Sequence, residues 1–271
     1  MNKKIILYFF SGTGNTLWAS RQFAEEMQKH GIETRLVPLP CAVPDNLEDD
    51  STIAIAFPVY SSTAPPFVCD WIRSLPETKK TVPVVLISTL AGFSGLVKGP
   101  FYHILKKKGY MPLAVREFIM PPNYFHKYND ARNFQIMERA KSAAADFAKE
   151  ISEGKSQWPA SPSFLNPLQL VAEKFFKHGG TGFLGKGFHA DKGKCTKCGF
   201  CIRLCPVDNI NSTTDGYPAW TGKCQQCLRC ITYCPADAIS NRRMKLVLYP
   251  GYKCPEISPD DLLPAKSKEQ P

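Results

Sequence analysis

No stretch of this 271-residue chain approaches the roughly 18 apolar residues that a membrane span needs, so a transmembrane role is not expected. The opening MNKKIILYFF is apolar but too short for an export signal. SGTGNT follows it where a small-residue cleavage site would stand, and the expectation is a soluble, cytoplasmic protein. Histidine is scarce, five in all, without metal spacing. No Ser-His-Asp set, carboxylate pair or metal-hydrolase motif stands out, which argues against hydrolytic chemistry. Acidic residues are also few, 24 against 34 Lys and Arg, for a formal charge of +10. No DNA- or RNA-reading motif accompanies that charge, so nucleic acid is not an expected partner. The excess is uneven: residues 101–200 hold 16 Lys and Arg against 8 Asp and Glu.

What is present is enough apolar material, 44% with 17 Phe and four Trp, for one domain of ordinary size and a small second one. Eleven cysteines in a reducing compartment point to ligands rather than disulfides. Cys69, in PPFVCDWI, reads as a small buried hydrophobe, and Cys41 and Cys254 lie in Pro-rich loops with no partner motif. The other eight form two runs, KCTKCGFCIRLCPVDNI and KCQQCLRCITYCPADAI, with the same cysteines, proline and closing isoleucine. Eight thiolates could fill two tetrahedral zinc sites, but zinc knuckles come as separated Cys-x-x-Cys pairs. A third cysteine at the same spacing and a trailing Cys-Pro are not part of that pattern.

The runs resemble the cluster-binding motif of bacterial two-[4Fe-4S] ferredoxins, over about residues 188–245. The resemblance implies that Cys195, Cys198, Cys201 and Cys234 hold cluster I, and that Cys224, Cys227, Cys230 and Cys205 hold cluster II. A tight loop caps three corners of a cube, and the fourth thiolate comes from the other run. So small a domain builds little core, and the clusters are expected to supply most of its folding free energy.

At the N-terminus KKIILYFF has the continuous apolar character of a strand buried on both faces, and a helical pattern runs from about Thr16 to Lys29. Between them SGTGNT makes an anion site, with backbone N–H groups and the helix dipole aimed at a phosphate and Ser11, Thr13, Asn15 and Thr16 adding side chains. The Walker lysine is missing, and Leu17 stands where a dinucleotide fingerprint needs its third glycine. The loop resembles the phosphate loop of flavodoxins, which implies FMN held by Ser11, Gly12, Thr13, Gly14, Asn15 and Thr16.

Strand-like runs at about 33–38, 52–57, 82–88 and 112–120 alternate with helical patterns near 65–75, 96–108 and 131–153. The fold class expected is α/β: a flavodoxin-like, doubly wound parallel five-stranded sheet, in order 2-1-3-4-5 by resemblance, with a small α+β ferredoxin-like domain. A ligand then lies outside the carboxyl ends of the first, third and fourth strands. Two further loops reach that place, one with Pro58, Val59, Tyr60 and Ser61, the other with Thr89, Leu90, Ala91, Gly92 and Phe93. Tyr60 and Phe93 are candidates to flank the flavin ring. Tyr124, Phe125 and His126 after the fifth strand either cover the flavin edge, face the second domain or fill a gap. The last helix presents Phe134, Met137, Ala144, Phe147 and Ile151 on one face, capped by Asn129 or Asp130 and ended by Gly154.

Four segments follow: 1–155 flavodoxin-like, 156–187 a linker, 188–245 ferredoxin-like and 246–271 a tail. In the linker, Asn166 caps a short helix with Pro167 at its first position, Gly179 after its end, and Leu168, Val171 and Phe175 on its packing face. Nearly the whole chain is similar to the flavodoxin-ferredoxin fusion proteins of anaerobic bacteria and archaea. That resemblance implies an electron-transfer protein with one FMN and two [4Fe-4S] clusters, linking a low-potential donor to a partner redox enzyme. The alternative is an FMN-dependent reductase of a quinone or similar electrophile. Lys106, Lys107 and Lys108, with Lys174, Lys177 and Lys186, form a candidate docking face for an acidic redox protein; an anionic membrane surface at the 167–178 helix is the minor alternative.

Overall fold

A computed structural model describes residues 3–44, 51–92, 97–124, 128–159, 171, 173–176, 183–243 and 251–263. Its first part alternates β1 (Lys4–Phe9), α1 (Asn15–Lys29), β2 (Glu33–Pro38), β3 (Ser51–Pro58), α2 (Pro66–Ser74), β4 (Val82–Leu90), α3 (Lys98–Lys107), β5 (Tyr110–Ile119) and α4 (Asp130–Ser152). The five strands are parallel and lie in the order β2-β1-β3-β4-β5. This is the flavodoxin-like order. The central strands are apolar at nearly every position because both faces are covered. Leu7, Phe9, Ala54, Ala56, Val85 and Ile87 face α1 and α4. Tyr8, Phe10, Ile53, Ile55, Phe57 and Leu86 face α2 and α3.

Helix α4 is capped as its sequence suggests, with the Asn129 side chain accepting from the Arg132 backbone N–H at 2.8 Å and Gly154 left-handed just past the end. Its buried stripe differs from expectation at one place. Phe134 is 65% exposed, and Asn133 takes the inward position beside Met137. Helical rotation explains the swap, since Asn133 shares its face with Met137, Ala140, Ala144 and Phe147.

The second part contains β6 (Phe188–Ala190), α5 (Phe200–Leu204), β7 (Ile210–Ser212), β8 (Pro218–Trp220), α6 (Arg229–Thr232) and β9 (Ile239–Asn241). β6 pairs with β9 and β7 with β8, both antiparallel. The sequence repeat is also a backbone repeat. Left-handed residues recur in register as Lys197 and Gln226, Gly199 and Leu228, Asp208 and Asp237, each pair at the offset that relates Cys195 to Cys224.

The two parts share core: Leu204 and Tyr233 join the cluster on the α1 and α4 side, together with Cys254, Ile257 and Leu262 from beyond the repeat. Of the linker helix, Asn166, Pro167, Leu168 and Gly179 lie outside the described residues. Residues 173–175 are helical, but the expected face is reversed: Val171 and Phe175 are exposed, and Glu173 and Phe176 are buried. The reason is specific pairing, because Glu173 takes a two-pronged ion pair from Arg73 of α2 at 2.7 and 2.5 Å while Phe176 lies against Tyr60.

Candidate functional site

β1 ends at Phe9 and the chain turns through residues 11–14 into α1, whose N-cap Gly14 has φ +103°. A side chain at Gly14 would also collide with Cys254 and Ile257. No side chain caps α1, so its first N–H groups point into the loop without a partner from the capping residue. Ser11 Oγ is fully buried with no hydrogen-bond partner among the described residues. An uncapped helix start beside an unpaired hydroxyl fits a phosphate. Asn15 instead donates to the Pro121 carbonyl at 2.9 Å, Thr16 shares a 2.7 Å hydrogen bond with Thr89, and Thr13 takes one from Asn123. These side chains tie the loop to the ends of β4 and β5.

Above the loop is a cavity of about 670 Å³. Ser11, Gly12, Thr13, Asn15 and Thr16 form its floor, with Pro58, Val59, Tyr60 and Ser61 on one side and Thr89, Leu90, Ala91 and Gly92 on another. Of the expected residues Gly14 lies behind the loop, and Phe93, Phe125 and His126 fall outside the described residues. Tyr60 and Thr63 pair through their backbones around left-handed Ser61 and Ser62, and the Tyr60 ring stacks on Phe176 with centroids 6.4 Å apart. Burial, and then the nearby Cys227 thiol, raise the Tyr60 hydroxyl well above its ordinary pKa.

Sequence reasoning missed part of the wall. Phe175, Phe176 and Phe183 of the linker region line the cavity, as does Gln226 of the second cysteine run. Tyr124 lines it too and donates to the Gln226 side chain at 3.0 Å. It therefore both covers the cavity and meets the second part.

The eight repeat cysteines gather in two groups. Cys195, Cys198, Cys201 and Cys234 surround one hollow. Cys224, Cys227, Cys230 and Cys205 surround another, with Arg229 and Ile210. Each group takes three thiols from one run and the fourth from the other. Among the described residues no three His, Cys, Asp or Glu converge closely enough for a single metal ion. Backbone N–H groups point at sulfur in matching places, Asn209 to Cys205 and Ala238 to Cys234, both at 3.3 Å. The Cys224 group is buried throughout, whereas Cys198 of the other is exposed. Burial pushes the Cys224 thiol up to about 12.

The buried group lies against the cavity floor. A Cβ on Gly12 would sit 2.6 Å from the Cys227 carbonyl oxygen and 2.5 Å from the Tyr60 hydroxyl. Arg229, between Cys227 and Cys230, is buried and donates from Nε to the Ser11 carbonyl at 2.9 Å and from Nη1 to the Leu204 carbonyl at 3.3 Å. On the far side of the loop, the Cys254 N–H donates to the Thr13 carbonyl at 2.9 Å, and Asp261 pairs with Arg21 of α1 at 2.7 Å. No sequence motif marked Arg229 or residues 251–263.

The 4Fe-4S binding domain family matches residues 189–211. The N-terminal part is similar to solved flavodoxins. One from the domain Archaea is 15% identical, covering 55% of this chain and 98% of its own, with a TM-score of 0.37. The Streptococcus pneumonia TIGR4 flavodoxin is 14% identical over 54% and 99%, TM-score 0.39, and that of Megasphaera elsdenii 16% over 54% and 98%, TM-score 0.38. A search of curated proteins finds no match. The sheet order, rather than these distant likenesses, defines the first part as flavodoxin-like. A 4Fe-4S binding domain follows it.

Proposed function

We propose that the chain is an electron-transfer iron-sulfur flavoprotein, carrying FMN in the cavity above residues 11–16, cluster I on Cys195, Cys198, Cys201 and Cys234, and cluster II on Cys224, Cys227, Cys230 and Cys205. The observation that carries the reading is the contact between the cysteine group around Cys227 and the floor of the flavodoxin-like cavity. When bound, FMN exchanges electrons in pairs or singly, whereas each cluster moves one at a time. The chain's part is to hold these centres in a row. Cys198 brings cluster I to the surface, the buried Cys224 group stands between it and the cavity, and Gln226 reaches the cavity wall.

The surface around Cys198 suits an acidic protein partner. Lys192, Lys194, Lys197 and Arg203 are exposed there, and Lys192 and Lys197 lie over the Tyr217 ring at 5.1 and 4.4 Å, which fixes their positions. The Lys106–Lys108 set, by contrast, closes α3 just before β5 begins, at the edge of the sheet opposite the cavity. This reading puts the docking face on the cluster I rim, where the exposed cations lie beside the exposed Cys198.

Reduced protein should react slowly with small quinones alone, and faster once a protein acceptor is added, at a rate that falls steeply with ionic strength. Fast, salt-independent reduction of a quinone would instead favour a reductase with its own small-molecule substrate.

A further inference from the structure

We propose that Arg229 is a counter-charge shared by two cofactors: from behind the phosphate loop it offsets the flavin phosphate, and on its other side it offsets cluster II. The inference rests on the proposed FMN and cluster II sites.

One side chain meets three cofactor loops. Ser11, which accepts from Nε, opens the phosphate loop; Leu204, which accepts from Nη1, precedes Cys205; and Arg229 itself lies between Cys227 and Cys230. Its guanidinium also stands 4.8 Å from the centroid of Phe10, the last residue before that loop. Only 2% of the residue is exposed. Among the described residues it forms no ion pair with Asp or Glu.

A buried guanidinium without a counter-ion is costly to desolvate, and two neutral carbonyls satisfy its hydrogen bonds without neutralising its charge. The groups that face it are the thiols of Cys227 and Cys205 and the hydroxyls of Tyr60 and Tyr233. An arginine stays charged in a protein, so the anion must arrive with the cofactors. An oxidised cluster with its four thiolates carries about −2, and the phosphate loop offers no cation of its own. The ferredoxin-like part thus supplies the positive charge that the flavodoxin-like part lacks.

The test uses the full chain, purified anaerobically as wild type, Arg229→Lys and Arg229→Gln. Each is read by FMN titration of flavin-free protein and by potentiometric EPR of both clusters. The cluster II signal is identified by its loss in Cys224→Ala. Arg229→Gln should weaken FMN binding by roughly tenfold, as expected for a lost charge-assisted contact. It should lower the cluster II potential and leave cluster I in place, while Arg229→Lys, which keeps the charge, stays close to wild type in both. Wild-type values in Arg229→Gln, or equal damage in Lys and Gln, would overturn the proposal. Should the Gln variant not take up cluster II, wild-type protein decides. Removing FMN frees Arg229 for the cluster and should raise the cluster II potential alone, and no shift would count against the idea. Wild-type iron and flavin content tests the cofactor reading separately.

Discussion

At the scale of single residues, the site depends on places where a side chain would not fit. Gly12 is the clearest. Its missing Cβ is what allows the Cys227 carbonyl and the Tyr60 hydroxyl to reach the phosphate loop. In Gly12→Ala a methyl group meets backbone on one side and a buried phenol on the other, a clash that costs about 1–3 kcal/mol if the loops part to relieve it. FMN affinity, measured by fluorescence titration of the full chain, should fall by roughly 10- to 100-fold, the equivalent of that cost. Unchanged affinity would mean that the two loops are not held together as described. The glycine was legible in the sequence as part of SGTGNT, but its neighbours were not: the loop pattern announces a phosphate, and nothing in it announces Cys227. Arg229 was hidden in the same way, because its hydrogen bond spans 218 positions and a lone arginine inside a cysteine run has no distinguishing pattern.

At the scale of elements, the repeat explains why the runs need each other. α5 and α6 each follow a left-handed residue, Gly199 and Leu228, and each leads to a Cys-Pro whose thiol joins the opposite group. Leu228 carries a side chain at φ 61°, a conformation that costs of order 1–2 kcal/mol. Its burial against Ile231 and Cys230 offsets part of that. The proposed crossed ligation has a direct consequence. Cys234→Ala should damage the cluster held by Cys195, Cys198 and Cys201, leaving the Cys224 cluster as the better survivor, and EPR of the reduced protein distinguishes the two. The opposite pattern would show each run holding its own cluster. The elements themselves were readable because strands buried on both faces and an amphipathic α4 leave periodic signals. The linker was misread at Phe175, since its orientation is set by Arg73 and Tyr60, contacts about a hundred residues distant. The segment at 251–263 has no periodicity at all; it is placed by Arg21 and by the space behind Gly14.

At the scale of the whole molecule, the two parts are joined through a common core rather than through a tether. Leu204, Tyr233 and Cys254 pack on the α1 side of the sheet; the cysteine-bearing part reaches the cavity through Gln226, and the C-terminal segment backs the 11–14 loop from its other side. The shared core sets the spacing of the proposed redox centres. The proposed cofactors, two clusters and a phosphate, would bring roughly six negative charges to a chain that is basic by sequence. The central claim is that one flavin and two cubanes share this chain. It is tested most directly by anaerobic purification of the full chain with iron, sulfide and flavin assayed on the same sample. The account predicts about eight irons and eight sulfides with one FMN per chain, as two [4Fe-4S] clusters require. Zinc in place of iron, a single cluster's worth of iron, or protein that neither retains nor rebinds FMN would contradict it.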